Sequence, residues 1–266
     1  MKKKPLISVI ITYYKKKLFI SKTLKSILNQ TYKNYELIFV YDDTDKTDIE
    51  YINSLLKKFK KKKFIINKKN LGVAKSRNIA IKHSKGCYIA FIDSDDIWKK
   101  NKLSFQSNFM KKNRYYFSFT SYGEIDEKNK LLKEKKVFYD ANYLNLYKSN
   151  FIGLNTVMID NKIFPKICFP NLATQEDFAL WLKLARQGVK LKHLNKTLSF
   201  WRKTNDSLSS NTTRKLLDAF RLYYVYEKKN FIFSVYSVLV LSYNKLIKSL
   251  NSIEKNSLNS RNYTTR

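Results

Sequence analysis

Glycine, proline, cysteine and histidine are all scarce in this sequence of 266 residues, at 5, 3, 2 and 2. The shortage of glycine and proline argues against a β-sandwich, whose many tight turns need both. The cysteines, Cys87 and Cys168, lie far apart and no C-x-x-C pair occurs. His83 and His193 are the only histidines. The cysteines and histidines lack the spacing of a zinc site, and two histidines are too few for a histidine-rich metal site. This cysteine usage favours a reducing cytoplasm, which we predict as the location.

Two common phosphate-binding motifs are also missing. No G-x-G-x-x-G follows the first predicted strand, which argues against a dinucleotide-binding Rossmann site, and no G-x-x-x-x-G-K-[ST] occurs, which excludes a P-loop kinase or ATPase. Because only five glycines are present, a glycine-rich loop cannot cradle a bound phosphate. A metal ion or Lys and Arg side chains would have to hold the phosphate instead.

The N-terminus superficially imitates a signal peptide, since Lys2–Lys4 precede an apolar run from Leu6 to Tyr14. That run is short, Lys15–Lys17 follow it at once, and no small-x-small cleavage site appears. We therefore interpret the run as a buried first strand rather than an export signal.

Positive charge is the dominant feature of the composition, with 53 Lys and Arg against 21 Asp and Glu and a formal net charge of +32. A field of this strength favours anionic partners such as nucleic acid, acidic membrane surfaces or phosphorylated ligands. Lys, Asn, Ile and Tyr are all abundant, so compositional drift in an AT-rich genome is an alternative explanation. Both explanations remain open at this point.

Strands and helices alternate over the first hundred residues. Short apolar, β-branched runs predict strands at 6–12, 35–40, 63–66 and 88–92, and helical periodicity predicts helices at 18–28, 47–59 and 73–83. This order predicts a parallel sheet with helices on both faces. Ligands of such sheets bind at the carboxyl ends of the strands, and both Asp42-Asp43 and Asp93–Asp96 fall at such ends.

The remainder of the chain is less regular. We predict helices at 99–111 and 175–187, strands at 115–122 and 155–159, and a short strand or two within 191–201, while 123–150 stays ambiguous. Residues 214–250 form a helical tail, and 251–266 are polar and expected to fray. The nearly apolar stretch 231–243 is too short to span a bilayer and is flanked by lysines. It is either an interfacial helix or a helix of the core or of an oligomer.

Two acidic segments could carry chemistry besides Asp42-Asp43. Three carboxylates within Asp93-Ser94-Asp95-Asp96 repel one another unless a cation lies among them, and their oxygens suit Mg²⁺ or Mn²⁺ bridging to a diphosphate. The alternative is a helix N-cap. Glu176-Asp177, in the first turn of a helix, predicts a general base that deprotonates a sugar hydroxyl, with helix capping as the alternative. Asp42-Asp43 could bind a base or a ribose, or serve only in a turn.

Taken together, these segments resemble the family 2 inverting glycosyltransferases. The segments that carry the resemblance, in chain order, are Ser8–Tyr14, Ser26–Tyr32 with Tyr35–Ile38, Asn70–Asn78, Asp93–Trp98, Gln175–Trp181, and Trp201-Arg202 followed by Ser207 and Ser209-Ser210. The match covers about residues 5–210 and keeps the family order.

The resemblance implies an α/β GT-A fold, which is a Rossmann-like, mostly parallel sheet flanked by helices. The expected organisation is a GT-A domain over 1–212, with a donor half at about 1–100 and an acceptor half at about 101–212, followed by a helical extension over 213–266. It also implies a nucleotide-diphospho-sugar donor and a divalent metal, Mn²⁺ or Mg²⁺.

Residue roles follow from the same resemblance. Asp177 is expected to be the general base, with Glu176 beside it, and Asp95 and Asp93 are expected to bind the metal. The expected donor-binding residues are Thr12, Tyr14, Asp42, Asp43, Asn70, Arg77, Asp93, Ser94 and Arg202.

The sequence departs from the family pattern at two points. The family usually continues Asp-Asp-Gly-Ser-x-Asp-x-Thr, whereas Asp42-Asp43 is followed by the glycine-free Thr44–Thr47, which affects the nucleotide loop and base preference. The late motif often carries a His after its Arg, and Thr204 stands at the matching position.

We therefore expect an inverting glycosyltransferase that moves a sugar from a UDP- or dTDP-type donor to a hydroxyl of a glycan or lipid-linked glycan. Its place is cell-surface polysaccharide or lipopolysaccharide assembly, in the cytoplasm, with an anionic membrane surface as a further expected partner. One alternative is a basic nucleic-acid-binding protein that uses its charge with interleaved Tyr and Phe. The strand-end acids count against it, so no nucleic acid partner is expected. The other alternative is an inactive glycosyltransferase-like scaffold.

Overall fold

The computed structural model describes residues 4–163, 168–204 and 212–261, with backbone alone for 248–261. The strands are β1 (Ile7–Tyr13), β2 (Tyr35–Tyr41), β3 (Lys62–Ile66), β4 (Tyr88–Phe91), β5 (Ile97–Trp98), β6 (Phe117–Ile125), β7 (Leu131–Lys135), β8 (Met158–Asp160) and β9 (Leu191–Arg202). The helices are α1 (Lys17–Leu28), α2 (Ile49–Leu56), α3 (Val73–Lys82), α4 (Lys102–Asn113), α5 (Tyr143–Lys148), α6 (Glu176–Arg186), α7 (Thr212–Arg221) and α8 (Phe231–Arg261). A π-helical turn, Leu222–Tyr226, separates α7 from α8.

One sheet joins these strands in the order β3-β2-β1-β4-β8-β6-β9-β5, with β7 paired to β6. The first four are parallel, as the alternating pattern predicts. Tyr13 at the end of β1 lies opposite Tyr41 at the end of β2, and Ile10 lies opposite Phe91 at the end of β4. The segments that follow these strands therefore emerge at one edge of the sheet. The α/β fold class, with helices flanking the sheet, is confirmed.

The second half of the sheet mixes directions. Strand β8 runs antiparallel to both β4 and β6, whereas β9 runs parallel to β6. The register of β6 against β9 shifts near Ser121, where Leu194 pairs with Thr120 and Thr197 with Ser121. This irregularity lets β9 continue as one strand of 12 residues where the sequence predicts a short strand or two.

The hydrophobic core lies on both faces of the sheet. Val9 and Ile11 of β1 pack on the face covered by α1 and α2, and Ile10 packs on the face covered by α3 and α6. Trp181 of α6 is wholly buried against the second face. Burying each large side chain of this kind stabilises the fold by about 1.5–3 kcal/mol.

The C-terminal helices contact this core only in part. Leu222 and Tyr223 of the π-helical turn belong to the core cluster, and Val238 and Leu241 of α8 pack against it. Among the described residues, no helix is both long and apolar enough to cross a bilayer. The segment 262–266 lies outside the described residues, and the fraying of 251–266 and the domain boundary near 213 stay predictions.

Lys102 is a buried lysine in the first turn of α4. Its Nζ donates to Gln106 Oε1 at 2.5 Å and lies 4.3 Å from the centre of the Trp98 ring. The side chain is wholly buried, and burial lowers its pKa well below the usual value.

A Lys102→Met variant tests this burial through pH. The pKa of Lys102 is lower in the folded protein than in the unfolded chain. At pH values between these two pKa values, the unfolded chain therefore binds more protons than the folded protein. Across that pH range, the contribution of Lys102 to the free energy of unfolding of the wild type rises as pH rises. We expect the difference in the free energy of unfolding, variant minus wild type, to be larger at pH about 7 than at pH about 9. Denaturant titration at the two pH values measures it, and Lys111→Met, on the exposed face of the same helix, should show no such change. Equal differences at both pH values would contradict the assignment.

Candidate active site at the strand ends

Asp42 and Asp43, directly after β2, are both buried. Asp42 Oδ1 accepts hydrogen bonds from Asn67 Nδ2 at 2.7 Å and from the Leu71 amide at 2.8 Å. Asn70 Nδ2 donates to the Asp42 carbonyl at 3.0 Å. Asp42 therefore fixes the loop between β3 and α3 against the end of β2, and both contacts use the same carboxylate oxygen.

The glycine-free loop after Asp43 is held by its own polar groups. The Asp45 amide donates to Asp43 Oδ1 at 3.2 Å, and the Thr47 amide donates to Asp45 Oδ1 at 2.9 Å. The Lys46 ammonium donates to the Asp43 carbonyl and, at 3.0 Å, to the Asn67 carbonyl. Side-chain acceptors and one lysine thus close the turn that the family usually builds with glycine.

Arg77, on α3, connects two acidic segments. Its Nη2 donates to Asp93 Oδ1 at 2.7 Å, and its Nη1 donates to Glu176 Oε1. The guanidinium lies 5.5 Å from the centre of the Phe169 ring and is buried. Burial opposes its charge, but the carboxylates of Asp93 and Glu176 raise the pKa of Arg77 above its ordinary value. One buried cation therefore joins the loop after β4 to the start of α6.

The three carboxylates of Asp93–Asp96 point to three different partners. Asp93 binds Arg77, and Asp95 Oδ2 lies 3.1 Å from the Lys16 ammonium. Asp96 turns inward, where it accepts from Asn155 Nδ2 at 2.5 Å and from the Arg202 amide at 2.9 Å. Each acid is thereby separated from its neighbours, which reduces their repulsion.

Burial sets the protonation of this loop. It raises the pKa of Asp95, an effect that Lys16 opposes, and it raises the pKa of Asp96 well above the usual value with help from the charges of Asp95 and Asp93. The fully buried Asp96 has a structural role, whereas Asp93 and Asp95 remain partly exposed beside the strand ends.

A divalent metal fits the donor set of this loop. Among the described residues, no group of three or more His, Cys, Asp or Glu side chains forms a metal cage. Mg²⁺ and similar ions, however, are commonly held by one or two carboxylates together with substrate phosphates and water. Asp95 and Asp93 provide that number of hard oxygen ligands, and a metal ion at Asp95 would have to share its carboxylate with the Lys16 ammonium.

Arg202, at the end of β9, is occupied by backbone and amide oxygens. Its Nε donates to the Asp95 carbonyl, its Nη1 to the Asp126 carbonyl and its Nη2 to Asn129 Oδ1, each at 2.7 Å. The side chain is buried and ties the acidic loop to the β6–β7 turn. A contact with a diphosphate stays a prediction and requires the exchange of one of these partners.

The Glu176-Asp177 pair begins α6 after a residue with a left-handed backbone. Gln175 has φ +62° and precedes Glu176, whose carboxylate is committed to Arg77 rather than to capping. Asp177 Oδ1 accepts from the Phe178 amide at 2.6 Å, so helix capping accounts for one of its oxygens. Asp177 as a whole residue is partly exposed.

Asp177 has a pKa suited to a base at neutral pH. Burial and the neighbouring charge of Glu176 raise it to about 7, against the opposing charge of Arg77. The charge of Asp93 also raises the pKa of Asp177. The carboxylate can therefore accept a proton near physiological pH.

The remaining expected donor residues lie along the same edge. Thr12 is half-buried near the end of β1, and Tyr14 follows it with an exposed ring next to the Lys15 ammonium. Ser94 is buried, and its carbonyl accepts from Thr23 Oγ1 at 3.1 Å. Ser207, Ser209 and Ser210 of the late motif lie outside the described residues.

Comparison with known proteins identifies the family of this chain. The family model described as Glycosyl transferase family 2 matches residues 8–169. The chain belongs to glycosyl transferase family 2.

Two relatives of this family 2 member each match at least four-fifths of the chain. A protein of Bacillus subtilis, TuaG, provisionally named a teichuronic acid biosynthesis glycosyltransferase, is 31% identical over 93% of this chain and 98% of its own. The UDP-Glc:alpha-D-GlcNAc-diphosphoundecaprenol beta-1,3-glucosyltransferase WfaP of Escherichia coli is 36% identical over 80% of this chain and 83% of its own.

The fold of this family 2 member also matches a solved structure. The mannosyltransferase PcManGT from Pyrobaculum calidifontis, determined with GDP-Man and Mn²⁺, superposes with a TM-score of 0.67 at 11% identity, over 95% of this chain and 81% of its own. At that identity the match shows the fold alone, and the GT-A fold is confirmed.

The structure adds residues that sequence patterns do not single out. Lys16 donates to Thr204 Oγ1 at 3.1 Å as well as binding Asp95, so Thr204 stands at the acidic loop where the family often has histidine. Tyr122 of β6 is close enough to the charges of Asp96 and Asp177 for them to raise its pKa, in addition to the larger effects of burial and Glu124. Lys16 is one of three consecutive lysines and Tyr122 is one of several aromatic residues in a strand. No motif in the sequence therefore marks either residue as part of the site.

The loop before Glu176 depends on α7. Both the amide and Oγ1 of Thr174 donate to Asp218 Oδ2 at 2.9 Å, and Asp218 is buried. Gln175 Nε2 donates to the Lys215 carbonyl at 2.9 Å. Helix α7 therefore positions the segment that leads into Glu176 and Asp177.

We expect Asp218→Ala to lower the free energy of unfolding by about 2–3 kcal/mol, because a buried amide and hydroxyl lose their acceptor. The loosened loop should lower kcat about tenfold and leave the affinity for the nucleotide unchanged. Thermal unfolding and steady-state transfer kinetics measure the two effects. Thr174→Val, which removes one of the two bonds, should show an intermediate effect, and the exposed Thr213→Val should show none. A destabilised Asp218→Ala with wild-type kcat would refute the positioning role.

Proposed function

We propose that this chain is an inverting glycosyltransferase that moves a sugar from a nucleotide-diphospho-sugar to an acceptor hydroxyl in cell-surface polysaccharide or lipopolysaccharide assembly. The observation that carries the proposal is the buried Arg77, which holds Asp93 of the metal-and-donor loop and Glu176 of the catalytic pair at once. A general base and the expected diphosphate ligands are thereby brought to one edge of the sheet.

The reaction is a single displacement at the anomeric carbon. Asp177 takes the proton of the acceptor hydroxyl while that oxygen forms its bond to the anomeric carbon. The bond from the anomeric carbon to the diphosphate oxygen breaks, and the nucleoside diphosphate leaves with the bonding electrons. Attack from the side opposite the leaving group inverts the anomeric configuration.

Donor binding rests on the residues at the ends of β1, β2 and β4. Asp42 and Asp43, held by Asn67, Asn70 and Lys46, provide carboxylates for the nucleobase and the ribose. Arg77 keeps Asp93 oriented towards the donor. The other donor residues are Thr12, Tyr14 and Ser94, with Arg202 behind the acidic loop.

A divalent ion, Mn²⁺ or Mg²⁺, would be held by Asp95 and Asp93. When bound, it would neutralise charge on the departing diphosphate. The structure of PcManGT with GDP-Man and Mn²⁺ supports this assignment. Lys16 stands next to Asp95 and would have to share that carboxylate with the ion.

The acceptor is proposed from the relatives. WfaP is named for a diphosphoundecaprenol-linked acceptor and a UDP-Glc donor, and TuaG for teichuronic acid biosynthesis. A lipid-linked glycan acceptor and a UDP- or dTDP-type donor are therefore our proposal. With such an acceptor and donor, we propose that the enzyme works in the cytoplasm, at the inner face of the membrane.

The two alternative functions fit the site less well. Family membership favours glycosyl transfer over nucleic acid binding, and the acids at the strand ends would repel a phosphate backbone. An inactive scaffold has no need for a base whose pKa lies near neutrality, nor for the partner network that holds it.

The test is a transfer assay with a panel of sugar nucleotides, Mn²⁺ or Mg²⁺, and a lipid-linked acceptor. We expect wild-type enzyme to give a product of inverted anomeric configuration, scored by NMR. Asp177→Asn, which cannot accept the proton, should lose about 10²–10⁴-fold in kcat while nucleotide binding persists.

The pH dependence has a defined sign. Because the pKa of Asp177 is raised to about 7, its base form is lost as pH falls, so wild-type kcat/KM should drop about tenfold per pH unit below that value. Glu134→Gln, which removes an exposed carboxylate of β7, serves as the matched control and should retain wild-type rate and profile. Wild-type transfer by Asp177→Asn, or a product of retained configuration, would refute the proposal.

A further inference from the structure

Helix α8 buries two serines and exposes most of its large apolar residues. Ser234 and Ser237 are wholly buried, and Ser237 Oγ lies 2.6 Å from the Tyr147 hydroxyl of α5. Ile232, one turn before Tyr236, is 80% exposed. A helix whose only apolar contact were the protein core would show the opposite arrangement.

The exposed apolar residues of α8 share one side of the helix. At 100° per residue they fall within an arc of about 200°, and the buried serines fall outside it. The members are Phe231, Ile232, Phe233, Val235, Tyr236, Leu239, Tyr243 and Leu246. We call this set, together with exposed Tyr224 and Val225 of the π-helical turn, the α8 face.

The charges around the α8 face have one sign. Between residues 212 and 247 the only acids are Asp218 and Glu227, and both are buried. Asp218 accepts from Thr174, and Glu227 accepts from the Tyr143 hydroxyl at 2.7 Å and from Arg186 at 3.3 Å.

The bases near the face remain at the surface. Lys228, at φ +53°, is exposed and Lys229 is partly exposed, and both lie within three residues of the start of α8. Arg221 and Lys245 are exposed as well. The exposed charge of this region is therefore entirely basic.

We propose that the α8 face binds an anionic lipid bilayer, with α8 lying in the plane of the surface. Apolar side chains flanked by lysines are the combination that inserts into the boundary between headgroups and acyl chains. A second copy of this chain fits less well, because a symmetric contact would bring like basic charges together. The inference goes beyond the proposed reaction, since it concerns a surface that contributes no group to the strand ends.

The α8 face is connected to the catalytic pair through α7. Helices α7 and α8 pack together, and Asp218 of α7 holds Thr174, two residues before Glu176. Docking of α8 would therefore place the entrance to the catalytic pair near the bilayer, where a lipid-linked acceptor lies.

Co-sedimentation with vesicles tests the proposal without donor or acceptor. We expect the wild-type chain to bind phosphatidylglycerol-containing vesicles at low salt, to bind pure phosphatidylcholine weakly, and to dissociate at high salt. Lys228→Asn with Lys229→Gln should lower the affinity about thirtyfold, since each surface lysine adds to binding. Asparagine is used at 228 because it tolerates the positive φ. Ile232→Ser with Leu239→Ser should lower the affinity by about tenfold or more.

Matched controls remove the same groups elsewhere. Lys58→Gln with Lys60→Gln removes two exposed lysines next to β3, and Leu132→Ser removes an exposed leucine of β7. Both should bind vesicles within about threefold of wild type. Circular dichroism confirms that each variant is folded.

Two results would overturn the proposal. One is a wild-type chain that stays in the supernatant with anionic vesicles at low salt. The other is a concentration-dependent dimer, seen by sedimentation velocity, that Ile232→Ser with Leu239→Ser converts to a monomer. If the wild-type chain binds anionic vesicles but transfers no sugar, the proposed reaction is refuted and the membrane-binding inference still holds.

Discussion

The buried ion pairs of Arg77 are the interaction on which the site depends. Its guanidinium is removed from water and is compensated by Asp93 on one side and Glu176 on the other. Loss of one partner would leave a buried charge uncompensated, which costs several kcal/mol, so the three groups form or fail together. Since Asp93 follows β4 and Glu176 begins α6, this contact also joins the early half of the chain to the later half.

Other cations inside the site play related parts. Lys16 neutralises Asp95, Lys46 closes the loop after Asp43, and Arg202 binds the carbonyls around the acidic loop. The net charge of +32 therefore includes residues that organise an acidic site as well as a basic surface. The acids at the strand ends therefore have basic partners within the protein itself.

The sequence predicts the donor half of the fold well because local patterns determine it. Strands β1 to β4 are short apolar runs separated by helical periodicity, and the parallel order follows from that alternation. The acceptor half is harder, because β5 has two residues and β9 crosses an irregularity opposite Ser121 that only pairing with β6 maintains. No local pattern reports a long-range pairing of this kind.

In the site, too, some features follow from local sequence patterns and others only from tertiary contacts. The positions of Asp42, Asp93 and Asp177 follow from strand and helix ends, whereas their partners depend on tertiary contacts. Arg202 illustrates this: its motif marks it for the diphosphate, and the fold surrounds it with carbonyl oxygens. The sequence also does not predict the exposed apolar side of α8, because the composition of 231–243 does not indicate which side of the helix packs against the core.

A double-mutant cycle on Arg77 and Glu176 tests the central claim most directly. Transfer rates and unfolding free energies are measured for wild type, Arg77→Met, Glu176→Gln and the double variant. If the pair acts as a unit, the double variant should be no worse than the poorer single one, with a coupling energy of about 1–3 kcal/mol in both measurements. Effects that add to within about 0.5 kcal/mol would show that the two residues act independently and would contradict the account.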